Sequence, residues 1–186
     1  MRIIGGAHRS VALTPVGKGD AGAHLRPTSD RVRESLFNVL GGGRYGDALS
    51  GARVLDLFAG TGALGLEALS RGADQVCFVE NGRTAFKLLS KNIAKLKAAE
   101  VTNVLTADAT KLPSNPYAPF DLVFLDPPYG KDLGAKALIC AKAQGWITED
   151  AIICWEEESV QTPPDGFTAM DQRRYGGTHI TFLEIA

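Results

Sequence analysis

The sequence predicts an α/β fold: a doubly wound, mostly parallel sheet of seven strands, closed by an antiparallel C-terminal hairpin. Three observations predict it. From Arg53 onward, short apolar runs alternate with stretches of helical periodicity, the rhythm of a parallel sheet with helices on its faces. The first apolar run opens into a glycine-rich turn that leads to a helix. The tail, Thr168–Tyr175 then His179–Ile185, reads as two strands turning at Gly176-Gly177.

Taken in order, residues 2–16 read as two short strands with a turn near Gly5-Gly6, and 17–26 as a mobile loop rich in glycine. Ser29 or Asp30 is a plausible N-cap for a helix reaching Leu40. Val32, Leu36, Phe37 and Leu40 share one face of it, with Arg31, Glu34 and Asn38 outward. Strands are expected at Arg53–Phe58, Gln75–Glu80, Asn103–Ala107, Asp121–Leu125 and Ala151–Glu156. Helices are expected at Ala63–Ser70, Arg83–Ala98 and Leu133–Ala143. In the long middle helix Phe86, Leu89, Ile93 and Leu96 mark the buried side, and Lys87, Lys91 and Lys95 a solvated one. Residues 1–40 form an N-terminal extension, and 51–186 the catalytic domain.

The bulk numbers fit a globular domain: 186 residues, 45% hydrophobic and 22% charged. No apolar run reaches the roughly 18–20 residues of a membrane span, and the N-terminus has no long apolar segment typical of a secretory signal. Cys77, Cys140 and Cys154 lie inside apolar runs, read as buried small hydrophobes in a reducing cytoplasm. No cysteine or histidine pairing suggests a metal. The net charge of −1 announces no polyanionic partner, but the distribution is uneven. Arg2, Arg9, Lys18, Arg26, Arg31 and Arg33 face only Asp20 and Asp30 in the first 33 residues. A basic arm on an acidic body can serve as a footprint for phosphate.

The first constellation is Val54 to Gly65, strand, glycine loop and helix. Gly60, Gly62 and Gly65 match the G-x-G-x-x-G pattern of nucleotide-binding loops. Glu80 closes the second strand, where a carboxylate can accept ribose hydroxyls. Two ligands compete for such a loop. NAD lays a pyrophosphate on it, and Asp56 would repel that charge. S-adenosylmethionine instead presents an ammonium and a sulfonium. Opposite charges about 4 Å apart at an effective dielectric near 20 gain roughly 4 kcal/mol before desolvation. The sign favours the cation. Asp108, in Ala107-Asp108-Ala109, is placed to accept from an adenine amino group.

The second constellation is Asp126-Pro127-Pro128-Tyr129 at the end of the fourth strand. The two prolines stiffen the turn and remove two backbone donors. An acceptor wall remains, the Asp126 carboxylate and the Pro127 carbonyl, beside the aromatic face of Tyr129. It suits a planar base with an exocyclic amine, whose lone pair is delocalised into the ring. Two acceptors on its N–H groups can turn that lone pair toward a methyl carbon. Stacking on Tyr129 is worth about 1–3 kcal/mol in comparable settings. A base in a duplex must first be flipped out.

This turn resembles the signature of amino-group methyltransferases, and Asp56–Gly62 resembles their cofactor motif. Together they imply the class I S-adenosylmethionine-dependent methyltransferase fold, which is Rossmann-like. The N-terminal segment narrows the resemblance. Met1-Arg2-Ile3-Ile4-Gly5-Gly6, then Leu25-Arg26-Pro27-Thr28-Ser29-Asp30-Arg31-Val32-Arg33-Glu34-Ser35-Leu36-Phe37-Asn38, resembles the RsmD family. The likeness continues through Gly65–Ala73 and Phe120–Asp126 and covers nearly the whole chain. Thr61 stands where family members often have Ser.

The resemblance implies methylation of a guanine N2 amine in small-subunit (16S) ribosomal RNA by a cytoplasmic, monomeric enzyme. It implies a cofactor site of Asp56, Phe58, Gly60, Thr61, Gly62, Glu80, Asp108 and Ala109, and a catalytic set of Asp126, Pro127 and Tyr129. No metal is needed. Arg2, Arg9, Arg26, Arg31 and Arg33 are candidates for RNA phosphate. Arg31 and Arg33 stand about 200° apart on a helix, so one of them is expected to brace the catalytic turn instead. The length leaves no room for a separate recognition domain, so the expected substrate is RNA folded within an assembled or partly assembled small subunit. The alternatives are a DNA adenine-N6 or cytosine-N4 methyltransferase, and a catalytically silent RNA-binding assembly factor. An NAD-dependent dehydrogenase is opposed by Asp56 and by the Asp-Pro-Pro-Tyr turn.

Overall fold

The computed structural model describes residues 1–17 and 28–186. Arg26, Lys18 and the expected loop at 17–26 lie outside the described residues, apart from Gly17. Four helices, α1 (Asp30–Gly41), α2 (Ala63–Ser70), α3 (Arg83–Lys95) and α4 (Leu133–Ala143), flank one seven-stranded sheet. Its strands are β1 (Arg53–Leu57), β2 (Gln75–Val79), β3 (Thr102–Leu105), β4 (Phe120–Leu125), β5 (Ile147–Glu157), β6 (Phe167–Tyr175) and β7 (Thr178–Ile185). They lie in the order β3-β2-β1-β4-β5-β7-β6. The first five run parallel, and β7 is antiparallel to both β5 and β6.

Central strands are buried on both faces, hence their unbroken apolar runs. Side chains alternate between two cores. Val54, Leu122, Phe124 and Cys154 join α1, α2 and α3 on one face. Leu55, Leu57, Val123, Leu125 and Trp155 join α4 on the other. By this alternation Asp56, Asp126 and Glu156 all belong to the α1–α3 face. The register also levels the strand ends, for Leu57 pairs with both Val79 and Leu125, and Leu125 pairs with Trp155. The next residues, Phe58, Glu80, Asp126 and Glu156, therefore line one rim. The sheet order reverses beside β1, where ligands of open α/β sheets bind.

Several local expectations need correction. Residues 2–16 form no extended strands. They make a single bridge, Arg2 to Ala12, around a 3-10 turn at Gly6–His8. The apolar side of α3 is Ala85, Leu89, Ile93 and Leu96, whereas Phe86 is exposed. Thr61 takes Phe86's place in anchoring the helix, its carbonyl accepting from buried Asn92 at 2.9 Å. β5 begins four residues before its expected start, because its first residue pairs with Phe120 ahead of a register shift. Cys77 and Cys154 are buried and Cys140 half-buried; all three are free thiols.

The N-terminal segment is fastened by one carboxylate. Glu67 sits fully buried in the otherwise apolar α2. Its two oxygens accept from the Ile4 and Gly5 amides at 2.8 and 2.9 Å, and from Arg71 Nε at 2.7 Å. Arg33, also fully buried, lies 4.0 Å from the same carboxylate and donates to the Arg2 carbonyl at 2.8 Å. Gly6 must be glycine: it has a φ of 75°, and a Cβ there would meet the Ser70 carbonyl oxygen at 1.7 Å. Removing one member of a buried charged set leaves the others unpaired, at a cost of about 3–5 kcal/mol. Glu67→Ala should lower unfolding free energy by that amount in urea titration. A loss under about 1 kcal/mol would show that the N-terminal segment is held by apolar contacts alone.

Candidate active site

β1 delivers Asp56 and then breaks into the glycine loop. Phe58 adopts a φ of 59°, uncommon for a large side chain and a mark of backbone constraint at a functional turn. Gly60 and Gly62 are also left-handed, at 57° and 80°. Gly65 is needed for a different reason. A Cβ there would stand 2.5 Å from the Phe78 ring and 3.0 Å from the Asp56 carboxylate, so glycine lets α2 close on the sheet. Asp56 Oδ2 accepts from the Gly65 amide at 2.9 Å. Burial, countered by that N–H and reinforced by the Glu80 charge, lifts the Asp56 carboxyl to about 8.

Glu80 organises the loop as well as facing it. Its two oxygens accept from the Gly60 and Gly82 amides, both at 2.7 Å. The loop is thereby clamped to the end of β2. Each oxygen keeps a further lone pair for a ligand donor. Asp108 caps a 3-10 turn beginning at Ala109. Its Oδ1 accepts from the Thr110 amide and hydroxyl, which hold the carboxyl below its usual range and leave Oδ2 for a ligand donor. Thr61 and Ala109 are buried beneath these groups.

The Asp-Pro-Pro-Tyr turn begins one strand away. Burial and the neighbouring charges of Glu156 and Asp56 push the Asp126 carboxyl well up. Thr28, immediately before α1, is placed between two carboxylates, its hydroxyl 3.0 Å from Glu156 Oε2 and 3.4 Å from Asp126 Oδ2. Tyr129 lies beside Glu156 and beside Thr178 at the head of β7. Burial and the Glu156 charge raise its phenol above the ordinary value. Pro127 is buried and Tyr129 half-buried beside it. Glu156 and Thr28 were missed in the sequence. The signal for Glu156 was available: a Glu-Glu-Glu run placed directly after the buried run Ala151–Trp155.

The basic candidates separate. Arg2, Arg9 and Arg31 are exposed. Arg33 is not on that surface, and it does not brace the catalytic turn either. One guanidinium nitrogen, Nη2, donates to Asp30 at 2.6 Å and to the Arg2 carbonyl of the N-terminal segment at 2.8 Å. A groove of about 510 Å³ was not foreseen. It runs between the outer stripe of α1 (Ser35, Asn38, Gly42) and edge strand β6, and Arg44, Arg173 and Tyr175 line it. Asp171 fixes both arginines, at 3.5 and 2.8 Å. Among the described residues no three or more His, Cys, Asp or Glu side chains are grouped to hold a metal ion, and no helix is long and apolar enough to cross a membrane.

With this geometry in place, comparison with known proteins is decisive. The family model described as "Conserved hypothetical protein 95" matches residues 1–184. Ribosomal RNA small subunit methyltransferase D of Escherichia coli K12 is 40% identical over 158 residues, covering 85% of this chain and 75% of that protein. The chain belongs to the RsmD family. Its namesake in Haemophilus influenzae is 38% identical over 183 residues, covering 95% and 89%. The solved structure of Escherichia coli YhhF superposes with a TM-score of 0.82 at 35% identity, covering 100% of this chain and 97% of that one. TrmN from Thermus thermophilus, at 23% identity and a TM-score of 0.71, shares the fold. The seven-stranded sheet with its antiparallel hairpin is thus the class I, Rossmann-like methyltransferase fold of RsmD proteins.

The raised Asp56 carboxyl gives a pH prediction. A carboxyl raised on folding contributes most below its ordinary value near 3.8, and that contribution is lost as pH rises toward 8. Asp56→Asn removes the titration. In ligand-free protein its melting temperature should gain on the wild type by several degrees between pH 5 and pH 8. Parallel melting curves across that range would show that Asp56 is not raised.

Proposed function

We propose that this protein methylates the exocyclic N2 amine of a guanine in small-subunit (16S) ribosomal RNA, with S-adenosylmethionine as donor. The observation that carries the reading is the Asp126-Pro127-Pro128-Tyr129 turn at the end of β4, one strand from a loop clamped by Glu80. When bound, S-adenosylmethionine supplies a methyl group activated by its sulfonium.

The residues present fit that cofactor. Glu80 brings negative charge that opposes a pyrophosphate, and Asp56, held mostly protonated at neutral pH by burial, ionises when a cation comes to rest beside it. Asp56 is the candidate for the ammonium end, Glu80 for the ribose and Asp108 for the adenine amine. Phe58, Gly60, Thr61, Gly62 and Ala109 shape the pocket.

On the other side Asp126 and the Pro127 carbonyl accept the two N–H bonds of the amine, and Tyr129 offers its ring to the base. Transfer forms an N–C bond as the S–C bond breaks, leaving the amine with one proton too many. Asp126 is suited to receive it, since burial and Glu156 raise its proton affinity. Positioning supplies most of the acceleration, and the transfer calls for no metal.

An RNA substrate is supported by the names of the relatives and by the exposed cations. Arg2, Arg9 and Arg31 belong to the N-terminal segment and the start of α1. The Arg44–Arg173 groove continues from there. Tyr175 pairs with Thr178, the partner of Tyr129, so the groove begins beside the catalytic turn.

Purified protein with labelled S-adenosylmethionine should methylate small ribosomal subunits from cells lacking this gene. Digestion and mass spectrometry should then find N2-methylguanosine at one site. Asp126→Ala should lower kcat by about 100-fold or more while leaving cofactor affinity within a few-fold. Label in DNA or protein but not in ribosomal RNA would overturn the substrate. A different methylated nucleoside would overturn the N2 assignment. Separately, Arg44→Gln combined with Arg173→Gln should weaken RNA binding and lower the salt dependence of log K by about two phosphate contacts. An unchanged slope would remove the groove from the RNA path.

A further inference from the structure

We infer that Glu156 reads the N1–H of the target guanine, so that Glu156 and Asp126 together select guanine over adenine and cytosine. This rests on the reading of the site as an amino-group methyltransferase and names what chooses the base.

The geometry begins with the register. Leu125 and Trp155 are paired neighbours on parallel strands, so the residues after them stand about 4.8 Å apart on one face. Thr28 confirms the closeness, since one hydroxyl lies within 3.4 Å of both carboxylates. Two acceptors thus stand side by side at the place assigned to the amine.

The three amine-bearing bases present different neighbours to that pair. In guanine the amine is next to N1–H, giving two adjacent donors. In adenine and cytosine it is next to a bare ring nitrogen, giving a donor beside an acceptor. A carboxylate facing the bare nitrogen sets lone pair against lone pair. Thr28 donates to Glu156, which holds that carboxyl as an acceptor beside Asp126. Four lone-pair positions on a carboxylate leave room for the base. Glu156 is 5% exposed, and in such a site an unmatched polar contact is not repaired by water.

The test uses small-subunit RNA carrying guanine or 2-aminopurine at the methylated position. 2-Aminopurine keeps the amine and lacks the N1–H. It is also fluorescent, so its binding can be followed without turnover. The wild type should prefer guanine by about 10–100-fold in both binding and kcat/KM. Glu156→Gln offers an amide N–H to the bare nitrogen and should shrink that preference at least about tenfold. Unchanged binding of S-adenosylhomocysteine would show that the variant is folded. Thr28→Val provides a second variant, which keeps Glu156 but loosens it, and its preference should fall between the two. If Glu156→Gln weakens both substrates equally, Glu156 is merely structural and the inference falls. If the wild type methylates 2-aminopurine as well as guanine, the inference also falls while the guanine reading stands. If the wild type methylates neither base, the guanine reading fails first and takes the inference with it.

Discussion

Parallel pairing in register sets the level at which β1, β2 and β4 stop beside β5, which runs two residues further, and the site exists because of that alignment. Leu57, Val79, Leu125 and Trp155 are mutually aligned through β1, β2, β4 and β5. Leu57, Val79 and Leu125 are each followed by a residue outside the strand, a left-handed Phe58, then Glu80 and Asp126, while Glu156 continues β5 along the same rim. Slipping one strand by one residue would turn its terminal side chain to the other face. Asp126 would then leave Thr28 and Glu156 and point toward the α4 core. The buried apolar residues that hold the register, such as Val123 and Ile153, therefore act on the chemistry without touching it.

Much of this was legible in the sequence. The βα rhythm located every helix and strand from Arg53 onward, because buried parallel strands are short apolar runs and α2–α4 show helical spacing. The glycine loop, Asp56, Glu80 and the Asp-Pro-Pro-Tyr turn were legible because each needs an unusual residue at a fixed offset from a strand end. What could not be read depends on contacts far apart in the chain. Arg33 looked like a surface cation, since its burial depends on Glu67 of α2 and on the Arg2 carbonyl. The groove joins Arg44 to Arg173 through Asp171, and no local pattern relates them. Phe86 kept a helical period yet faces outward, because Asn92 and Leu89 already fill the space beneath the loop.

The N-terminal segment and the catalytic rim are mechanically linked. Ile4 and Gly5 hang on Glu67, and Thr14 donates to Asn92, which holds the Thr61 carbonyl of the glycine loop. Thr28, just before α1, touches the Asp126 and Glu156 carboxyls at the rim. An RNA held by Arg2, Arg9 or Arg31 would thus pull on groups that also shape both halves of the site.

The carboxyls at the rim oppose folding, since Asp56, Asp126 and Glu156 are all raised by burial first, then Asp56 by Glu80, Asp126 by Glu156 and Asp56, and Glu156 by Glu157. A fold organised for stability alone would place apolar residues there. The offset comes from the apolar cores on both faces of the sheet and from the Glu67 clamp, which lies one helix away from the rim. Glu67 and Asp56 illustrate the division. Both are buried acids, Glu67 in α2 and Asp56 in β1 beside it, but Glu67 is saturated by two amides and an arginine, whereas Asp56 has a single amide. The saturated acid is structural. The under-satisfied one keeps its proton at neutral pH, and a cation arriving at the loop is what would draw out its charge.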